Sequence, residues 1–403
     1  MAAVELNLTD EQLQALLSGE RGLAAVLQAV LTRVLEAEMT EHLGAAPHER
    51  TSRRRGHRNG YYERDLVLRV GTIELRVPRD REGTFRTELF ERYQRNERAL
   101  VLALMEMVVN GVSSRKVKRI TERLCGHAFS RSTVSELAAG LDTEVEAWNE
   151  RSLAGVTYPF VWADAMGIKV RREGAVRASS LLLMTAVNAD GYREILGLRV
   201  ADSESEASWL ETFRWLKERG LAGVEILVSD DHRGLVAALR RAFQGVIWQR
   251  CQVHFLKNVL DATPARLQAT LHRALARILE AAGPQAARVG FTAAVDELSG
   301  PADRALDVLE NGLEDAIAML HLPEKYRRRL RSTNPLERLI EEGRRRERVI
   351  RIFPNERSAW RLMGALFAEQ HEEWIAGKRY FDMTEYFEWK AAQGRDDQEK
   401  KAA

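Results

Sequence analysis

Apolar residues follow a helical spacing in the first part of the chain and then a strand spacing. Three valines recur at helical spacing within residues 21–43, which predicts a helix with one buried face. Residues 64–78 alternate apolar and polar positions on both sides of a Gly71-Thr72 turn, and this pattern predicts a small β-hairpin closed by Pro78. Helical stretches follow the hairpin. The N-terminal part is therefore expected to be mainly helical.

From about residue 155 the pattern changes to strands that alternate with helices. An unbroken apolar run over residues 180–187 is typical of a central strand covered on both faces. Strands are predicted over residues 158–165, 180–187, 192–200, 224–230 and 246–249, and helices over 204–219, 234–243 and from about 253. Residues 261–330 return to helical spacing. This order predicts an α/β fold, with helices packed on a mixed sheet and an all-α insertion after it.

Two predicted helices in the N-terminal part lie close together in the sequence. A helix over residues 114–124 is followed by a short break that contains Gly126, and Ser130 is placed to cap a second helix. In a helix-turn-helix, the second helix would offer Arg131 and Ser132 to the edges of DNA bases. Any packing of three short helices has the same pattern, so both interpretations stay open.

Charge is unevenly distributed along the 403 residues. The formal net charge of +2 argues against nucleic-acid binding, and the length suits two or three domains. However, residues 1–45 carry seven acids against two arginines. Residues 51–140 carry nineteen lysines and arginines against eleven acids, and residues 324–351 carry eleven against five. Since local charge attracts phosphate, these two basic regions are candidates for DNA binding, and a solvated face of mixed charge is the alternative.

The basic residues suggest particular contacts to DNA. Residues 51–60 combine arginines with no apolar periodicity, which indicates a flexible basic arm of the kind that enters a DNA groove, although a solvated loop has the same composition. The arginines after residue 337 are placed to track a phosphate backbone. The predicted DNA-binding residues are Arg53, Arg54, Arg55, Arg58, Arg115, Lys116, Lys118, Arg119, Arg131, Ser132, Arg338, Arg344 and Arg345.

Cysteine content and hydropathy exclude several classes of protein. The two cysteines, Cys125 and Cys251, cannot form a disulfide framework and suit a reducing compartment. No apolar run reaches the roughly 18 to 20 residues that span a bilayer, and the N-terminus lacks the pattern of a secretion signal. We therefore expect a cytoplasmic protein without a membrane partner.

Two aspartates follow or interrupt predicted strands. Asp230 ends the strand over residues 224–230, where open α/β sheets place ligand groups, and Asp164 lies in an apolar strand. If these strands are neighbours, the carboxylates meet and a divalent cation, Mg²⁺ or Mn²⁺, resolves their repulsion. A turn cap or a salt bridge is the alternative for either residue. A third acid would come from the helix that starts near residue 334, where spacing alone does not distinguish Glu337 from Glu341 or Glu342.

Residues 249–254 contain a Cys-x-x-His pair, Cys251 and His254. Structural zinc would need two more ligands, and no second pair follows, so we expect a buried cysteine and a hydrogen-bonded histidine. His232 is either a phosphate contact or simply exposed. The loops typical of P-loop ATPases, of serine esterases and of dinucleotide-binding enzymes are absent from the sequence.

Several motifs, taken together and in order, resemble those of bacterial insertion-sequence transposases of the Mutator type. They run from about residue 20 to residue 375. The motifs are residues 58–62, 77–85, 111–117, 164–171, 188–197, 206–209, 228–230, 249–254 and 332–338. Two departures are small: Ser332 stands where the family often has threonine, and Asp231 where it often has glycine. Neither removes a candidate carboxylate.

The resemblance implies a ribonuclease H-like domain with a catalytic Asp-Asp-Glu triad, interrupted by a helical insertion. By motif position the triad is Asp164, Asp230 and Glu337, which would ligate two Mg²⁺ or Mn²⁺ ions, with Cys251 and His254 in support. It implies cleavage and strand transfer of double-stranded DNA, at the element's terminal inverted repeats and at the target. The expected assembly is at least a homodimer in the bacterial cytoplasm, associated with the nucleoid.

These inferences predict six segments. They are N-terminal helices for possible dimerisation (1–45), a DNA-binding region (46–150), the first part of the catalytic core (151–260), the helical insertion (261–330), the second part of the core (331–390) and a disordered tail (391–403). Two other functions stay open on the same scaffold: a catalytically silent DNA-binding repressor and a nuclease of ribonuclease H type.

Overall fold

A computed structural model describes residues 20–68, 71–87, 89, 98–125 and 129–402. The chain divides into two compact units, Met1–Gly140 and Leu141–Ala403. The predicted helix signal before residue 20 and the break at Gly126 lie outside the described residues. Within the described part, no helix combines the length and apolar character needed to cross a membrane.

The first unit begins with a helix packed on a hairpin. Helix α1 (Glu20–Leu43) covers the strands β1 (Arg58–Leu68) and β2 (Gly71–Asp80). Its spacing of apolar residues places Leu35 in a core formed with residues from both strands. The helix predicted over residues 21–43 is therefore present, with one buried face.

The hairpin is longer than its alternating pattern predicts. Leu68 pairs with Gly71, so Gly71 belongs to the second strand rather than to the turn. Arg58 pairs with Asp80, and a bulge follows in which Gly60 has a φ of +72°. Strand pairing thus extends into the predicted basic arm, of which residues 51–57 have no regular structure.

Among the described residues of the first unit, three further helices follow the hairpin: α2 (Arg98–Val109), α3 (Ser114–Cys125) and α4 (Arg131–Ala138). They pack around a core that includes Leu104, Val117 and Val134. The Ser130 hydroxyl caps α4 by accepting a hydrogen bond from the Thr133 amide at 3.1 Å, as the sequence predicts. A turn of 3₁₀ helix, Ala139–Leu141, follows α4.

The second unit is built on a mixed five-stranded sheet. After α5 (Asp142–Asn149), its strands are β3 (Phe160–Arg172), β4 (Ala175–Val187), β5 (Arg193–Ala201), β6 (Ile226–Ser229) and β7 (Ile247–Arg250). Their spatial order is β5-β4-β3-β6-β7, in which β3, β4 and β5 are antiparallel and β6 and β7 continue parallel to β3. The first and fourth strands of this unit are therefore neighbours.

Strands β3 and β4 extend beyond the predicted strands as a second hairpin. They pair from Phe160 with Val187 out to Arg172 with Ala175, and Glu173 and Gly174 form the turn with positive φ. The outer part of the hairpin mixes polar and apolar residues, so its sequence has no continuous apolar run. This explains why the pattern predicts strands only near the core.

Helices cover both faces of the sheet. Helices α6 (Glu206–Glu218) and α7 (Arg233–Ala242) pack on one face, where Trp209 and Phe213 contact a cluster that includes Val161 and Ala163. Alternate residues of β3 face the other side. There Phe160 contacts the rings of Tyr326, Phe381 and Tyr386.

The remaining helices follow β7. They are α8 (Gln252–Asp261), α9 (Gln268–Leu279), α10 (Pro284–Leu298), α11 (Asp303–Ile317), α12 (Glu324–Leu330), α13 (Asn334–Ile350), α14 (Glu356–Ala376) and α15 (Thr384–Ala402). Helices α9 to α12 occupy the segment with predicted helical spacing. The structure continues α15 to Ala402, across residues for which the sequence predicts a disordered tail.

Two buried glutamines attach the helical segment to the sheet. The Gln249 amide donates to the Ala316 carbonyl at 2.8 Å and accepts from the Met319 amide at 2.7 Å. Gln252 donates to the same Ala316 carbonyl at 2.9 Å. Because both glutamines are buried, these bonds satisfy polar groups that would otherwise be costly, and they fix the end of α11 against β7.

Candidate functional site

Asp164 lies on the face of β3 that is turned toward α13. Its Oδ1 accepts a hydrogen bond from the following amide, Ala165 N, at 2.7 Å. Burial raises the pKa of Asp164 to about 7, against the effect of that hydrogen bond, and the negative charges of Asp230 and Glu204 raise the pKa further. His254 has the opposite effect. The Asp164 carboxyl therefore lies in a desolvated site that holds further acids.

Asp230 directly follows β6 and lies level with Asp164. Trp162 pairs with Val228 in the parallel register, and each aspartate is two residues farther along its strand. The end of β6 is fixed by two hydrogen bonds to Ser229: its carbonyl accepts from Cys251 N at 2.7 Å, and its hydroxyl accepts from Trp248 Nε1 at 2.9 Å. The structure thus brings the two predicted aspartates together.

The neighbouring Asp231 has a different environment. Its Oδ2 lies 3.0 Å from the Arg250 guanidinium, which is largely buried and stacks over the Phe255 ring. Asp231 therefore forms a salt bridge at the edge of the sheet, whereas Asp230 acts electrostatically on Asp164.

Glu337 lies in the first turn of α13. Thr333 Oγ1 donates a hydrogen bond to Glu337 Oε1 at 2.9 Å, and His254 Nδ1 lies 3.9 Å from the same oxygen. Of the other two acids left open by spacing, Glu342 forms ion pairs with Arg345 and Arg346, and Glu341 is exposed. Glu337 is thus the member of this group that lies beside His254.

Cys251 and His254 belong to the same site. His254 interacts electrostatically with both aspartates and with Glu337, and Cys251 lies beside it. The buried Cys251 sulfur accepts a hydrogen bond from the Thr333 amide at 3.4 Å and lies 3.3 Å from the Thr333 hydroxyl. Burial opposes ionisation of the thiol, but polar contacts with His254 and Thr333 outweigh it and lower the pKa of Cys251. The same sulfur, together with the charges of Glu337 and Asp230, raises the pKa of His254 to about 9. These directions favour a thiolate beside an imidazolium.

Cys251, His254 and Glu337 also form a potential metal-ligand group. One ligand atom from each lies within 4.8 Å of the others. Sequence spacing offered only the cysteine and the histidine for structural zinc, and the fold adds Glu337 as a third donor. A closed zinc site takes four ligands, so this group leaves one position open.

Glu204 belongs to the site but is missing from the sequence-based prediction. Burial raises its pKa, and the charge of Asp230 adds to this effect, while His232 at 3.2 Å opposes it. The Glu204 carboxylate also accepts a hydrogen bond from Trp209 Nε1 at 3.3 Å. Glu204 follows β5 closely, as Asp230 follows β6, and this position after a strand is the sequence feature that could have identified it. His232 pairs with Glu204 rather than standing free.

The basic arm of the first unit contains both engaged and exposed arginines. Arg58 donates to Glu36 at 2.6 Å and to Thr40 at 2.7 Å, so it joins β1 to α1. Arg54 donates to the backbone carbonyls of Glu49 and Gly56, at 2.8 and 3.0 Å. Arg53 and Arg55 are exposed.

The other predicted DNA-binding residues fall on three helices. On α3, the exposed residues Arg115, Lys116, Lys118 and Arg119 surround the buried Val117. On α4, Ser132 is exposed and its hydroxyl lies 2.7 Å from that of Ser130, while the side chain of Arg131 lies outside the described part. On α13, Arg338 and Arg344 are exposed and Arg345 is paired with Glu342.

Comparisons with known proteins identify the family. The family model described as "Transposase, Mutator family" matches residues 1–377. The transposase for insertion sequence element ISRM5 of Rhizobium meliloti (strain 1021) is 46% identical over 93% of this chain and 94% of its own. The transposase for IS256 in transposon Tn4001 of Staphylococcus aureus is 42% identical over 94% of this chain and 99% of its own. The transposase for IS1081 of Mycobacterium tuberculosis (strain ATCC 25618 / H37Rv) is 38% identical over 94% of this chain and 91% of its own. The chain therefore belongs to the Mutator family of transposases.

Proposed function

We propose that this protein binds the terminal inverted repeats of an insertion sequence and catalyses metal-dependent DNA strand cleavage and strand transfer. The proposal rests on the level placement of Asp164 on β3 and Asp230 directly after the adjacent parallel strand β6, with β3 packed against the helix that carries Glu337. In this proposal the five-stranded sheet is a ribonuclease H-like core, and α9 to α12 are its insertion.

The proposed metal ligands are Asp164, Asp230 and Glu337, with Mg²⁺ or Mn²⁺ as a pair of ions. Their carboxylate oxygens are the donors that such hard cations prefer. The raised pKa of Asp164 reflects burial beside the acids Asp230 and Glu204, and this is the electrostatic setting that a cation relieves. When bound, the ions would activate water or a 3′-hydroxyl and stabilise the attacking and leaving oxygens.

The surrounding side chains position the acids. The Thr333 hydroxyl donates to Glu337, and the Thr333 amide donates to the Cys251 sulfur, so one residue links the start of α13 to the start of α8. Protonated His254 would keep the Glu337 carboxylate turned toward the aspartates. We therefore assign Cys251, His254 and Thr333 as positioning residues for Glu337. Activity compared with Mg²⁺, Mn²⁺ and Zn²⁺ distinguishes an all-oxygen site from a Cys251-His254-Glu337 site.

The first unit is proposed to recognise the DNA ends. The exposed basic face of α3 would contact phosphates, and α4 would act as the recognition helix of a helix-turn-helix, with Arg131 and Ser132 at base edges. Arg53 and Arg55 are the arm residues free to reach a groove. Pairing two ends requires two copies of the chain, and the N-terminal helices are the proposed dimer contact.

Two experiments separate this function from its alternatives. Wild-type protein should cleave end-containing DNA in the presence of Mg²⁺, and Asp164→Ala should bind that DNA without cleaving it. Equal absence of cleavage by both proteins would instead indicate a silent repressor. A competition assay with scrambled ends addresses the second alternative, because a ribonuclease H-type nuclease would bind and cleave scrambled ends equally well.

A further inference from the structure

A basic cleft of about 460 Å³ lies beside the candidate site in the second unit. Its lining brings together the start of β5, the end of α12, the first turn of α13, the end of α14 and Tyr380. The lining residues described include no carboxylate. The arginines that line it are Arg193, Arg328, Arg329, Arg331 and Arg338.

Arg193 is held at the centre of this cleft by aromatic rings. Its guanidinium carbon lies 4.2 Å from the centre of the Trp374 ring and 4.7 Å from that of Tyr380. Burial lowers the pKa of Arg193, and the charges of Arg329 and Arg338 lower it further. Stacking orients the guanidinium plane but leaves its N–H donors at the edge unused.

The contrast with Arg151, another desolvated arginine in this unit, shows what the cleft lacks. Arg151 lies 3.7 Å from the Glu194 carboxylate and donates to the Ile195 carbonyl at 2.6 Å. Across the described ranges, Arg193 has neither an ion pair nor a hydrogen bond of its guanidinium. A desolvated charge without a counter-charge is unfavourable, so an anion from outside the chain would stabilise it.

Two further arginines are available at the same place. Arg329 stacks over Tyr380 at 4.5 Å, and Arg338 is exposed on α13. Neither forms an ion pair within the part of the chain that the structure describes. By contrast, Arg331 is already paired with Glu280 at 3.1 Å.

The cleft adjoins elements that carry candidate catalytic residues. Arg338 directly follows Glu337. Trp162, two residues before Asp164, contacts the Tyr380 ring at a centroid distance of 6.5 Å and donates to the Ser332 carbonyl at 3.2 Å. The N-terminus of the 17-residue helix α13 also opens into the cleft, through Asn334, and adds its positive dipole end.

We propose that Arg193, Arg329 and Arg338 form a clamp for backbone phosphates of the DNA strand next to the phosphate that is cleaved. Guanidinium groups bind phosphate oxygens in a bidentate manner, and a stacked guanidinium is already oriented for this geometry. The clamp rests on the proposed function and deepens it, because it assigns the substrate backbone a defined path past Glu337.

The test uses full-length protein and a labelled duplex that carries the element end, without divalent metal so that no cleavage occurs. Binding is measured by fluorescence anisotropy across a series of salt concentrations. Arg329→Gln/Arg338→Gln should weaken binding about tenfold, and each lost phosphate contact should reduce the slope of log K against log salt by about 1. The control, Arg273→Gln/Arg304→Gln, removes two exposed charges from α9 and α11 and should bind like wild type.

A neutral methylphosphonate in place of each phosphate near the cleavage point locates the contact. One such substitution should weaken binding by wild type but have little further effect on Arg329→Gln/Arg338→Gln. Arg193→Lys, which keeps the charge and loses the stacked fork, should give an intermediate result. An unchanged salt slope in Arg329→Gln/Arg338→Gln, with melting temperature preserved, would overturn the clamp.

Two outcomes keep this inference separate from the proposed chemistry. One outcome is that inorganic phosphate binds to wild type but not to Arg329→Gln/Arg338→Gln, while the two proteins have the same affinity for DNA. The cleft is then a site for free anions, and the proposal is wrong. If the salt slope falls as expected but wild type never cleaves DNA, the clamp stands and the proposed catalysis fails.

Discussion

The indole nitrogen of Trp162 donates a hydrogen bond to the backbone carbonyl of Ser332 at 3.2 Å, across 170 positions of sequence. Trp162 lies two residues before Asp164 on β3, and Ser332 lies just before the helix that carries Glu337. One buried hydrogen bond therefore links β3, the strand of Asp164, to the segment that leads into the helix of Glu337. We therefore expect this contact to help set the separation between Asp164 and Glu337.

Loss of this bond should affect catalysis more than binding. Trp162→Phe keeps an aromatic ring but leaves the Ser332 carbonyl unpaired, which should destabilise the second unit by about 1 to 3 kcal/mol. Displacement of Glu337 should slow cleavage by about 10- to 100-fold, because small misplacements of reacting groups are costly. The cleavage rate and the affinity for end DNA are measured on the same preparation. Equal losses in both would argue against a positioning role.

The Thr333 hydroxyl should control how tightly the site binds metal. Thr333→Val keeps the shape but removes the hydroxyl that donates to Glu337 Oε1 and lies 3.3 Å from the Cys251 sulfur. We expect the Mg²⁺ concentration needed for half-maximal cleavage to rise by about 10-fold or more. Thr333→Ser, which keeps the hydroxyl, is the matched control and should restore most of the affinity. A Thr333→Val protein with an unchanged Mg²⁺ requirement would refute this linkage.

His371 should make the second unit sensitive to acid. Its Nδ1 accepts a hydrogen bond from the Ile195 amide at 3.2 Å, and burial, helped by the charge of Arg151, lowers the pKa of His371 to about 3. The unfolded chain binds this proton near pH 6.5, so stability is complete above that pH and falls as the pH drops toward 3. The loss approaches about 1.4 kcal/mol per pH unit at most.

The control for this prediction is His371→Gln, which does not titrate and still offers an acceptor to Ile195. Its melting temperature should fall less steeply than that of wild type between pH 6 and 4, a window set by the ordinary and lowered pKa values of His371. Parallel curves for the two proteins would show that other groups determine the acid sensitivity.

Gly191 should be intolerant of any side chain. Its φ is +89°, and an added Cβ would lie 2.0 Å from the Phe381 carbonyl oxygen. The Gly191 carbonyl also accepts from the Tyr380 amide at 2.7 Å, so the same contact places Tyr380 in the basic cleft. Gly191→Ala should destabilise the unit by more than about 2 kcal/mol and displace the tyrosine.

Gly174→Ala is the control for Gly191→Ala. It has a similar φ of +80°, but nothing lies within 4 Å of an added Cβ. Gly174→Ala should therefore cost only the backbone strain, about 1 to 2 kcal/mol, without change in DNA binding. If both alanine variants unfold at the same denaturant concentration, the close approach of Gly191 to the Phe381 carbonyl does not affect the free energy of unfolding.

The sequence pattern predicts the strands and helices better than it predicts which side chains lie together in space. The apolar runs around Asp164 and before Asp230 are sufficient to predict two strands, and the fold places them side by side. Glu204 could not be identified in this way, because its role comes from the edge of the sheet that it shares with Asp230. The choice of Glu337 over Glu342 likewise depends on which helical acid already has arginine partners.

The cleft is the clearest example of a feature that local pattern does not contain. Three separate elements carry Arg193, Arg329 and Arg338. In the sequence, each of these arginines looks like an ordinary surface charge. Only the packing of β5 against α14, together with the rings of Trp374 and Tyr380, makes Arg193 a half-buried cation. The small net charge of the chain, +2, does not reveal this local concentration of positive charge.

Comparing Asp230→Asn with Asp231→Asn shows whether Asp230 is a catalytic metal ligand. The two substitutions make the same chemical change at adjacent positions, but Asp231 is engaged by Arg250. With purified full-length protein, end-containing DNA and Mg²⁺, we predict that Asp230→Asn abolishes cleavage while DNA binding persists, and that Asp231→Asn still cleaves. Cleavage by Asp230→Asn at the wild-type rate would contradict the account.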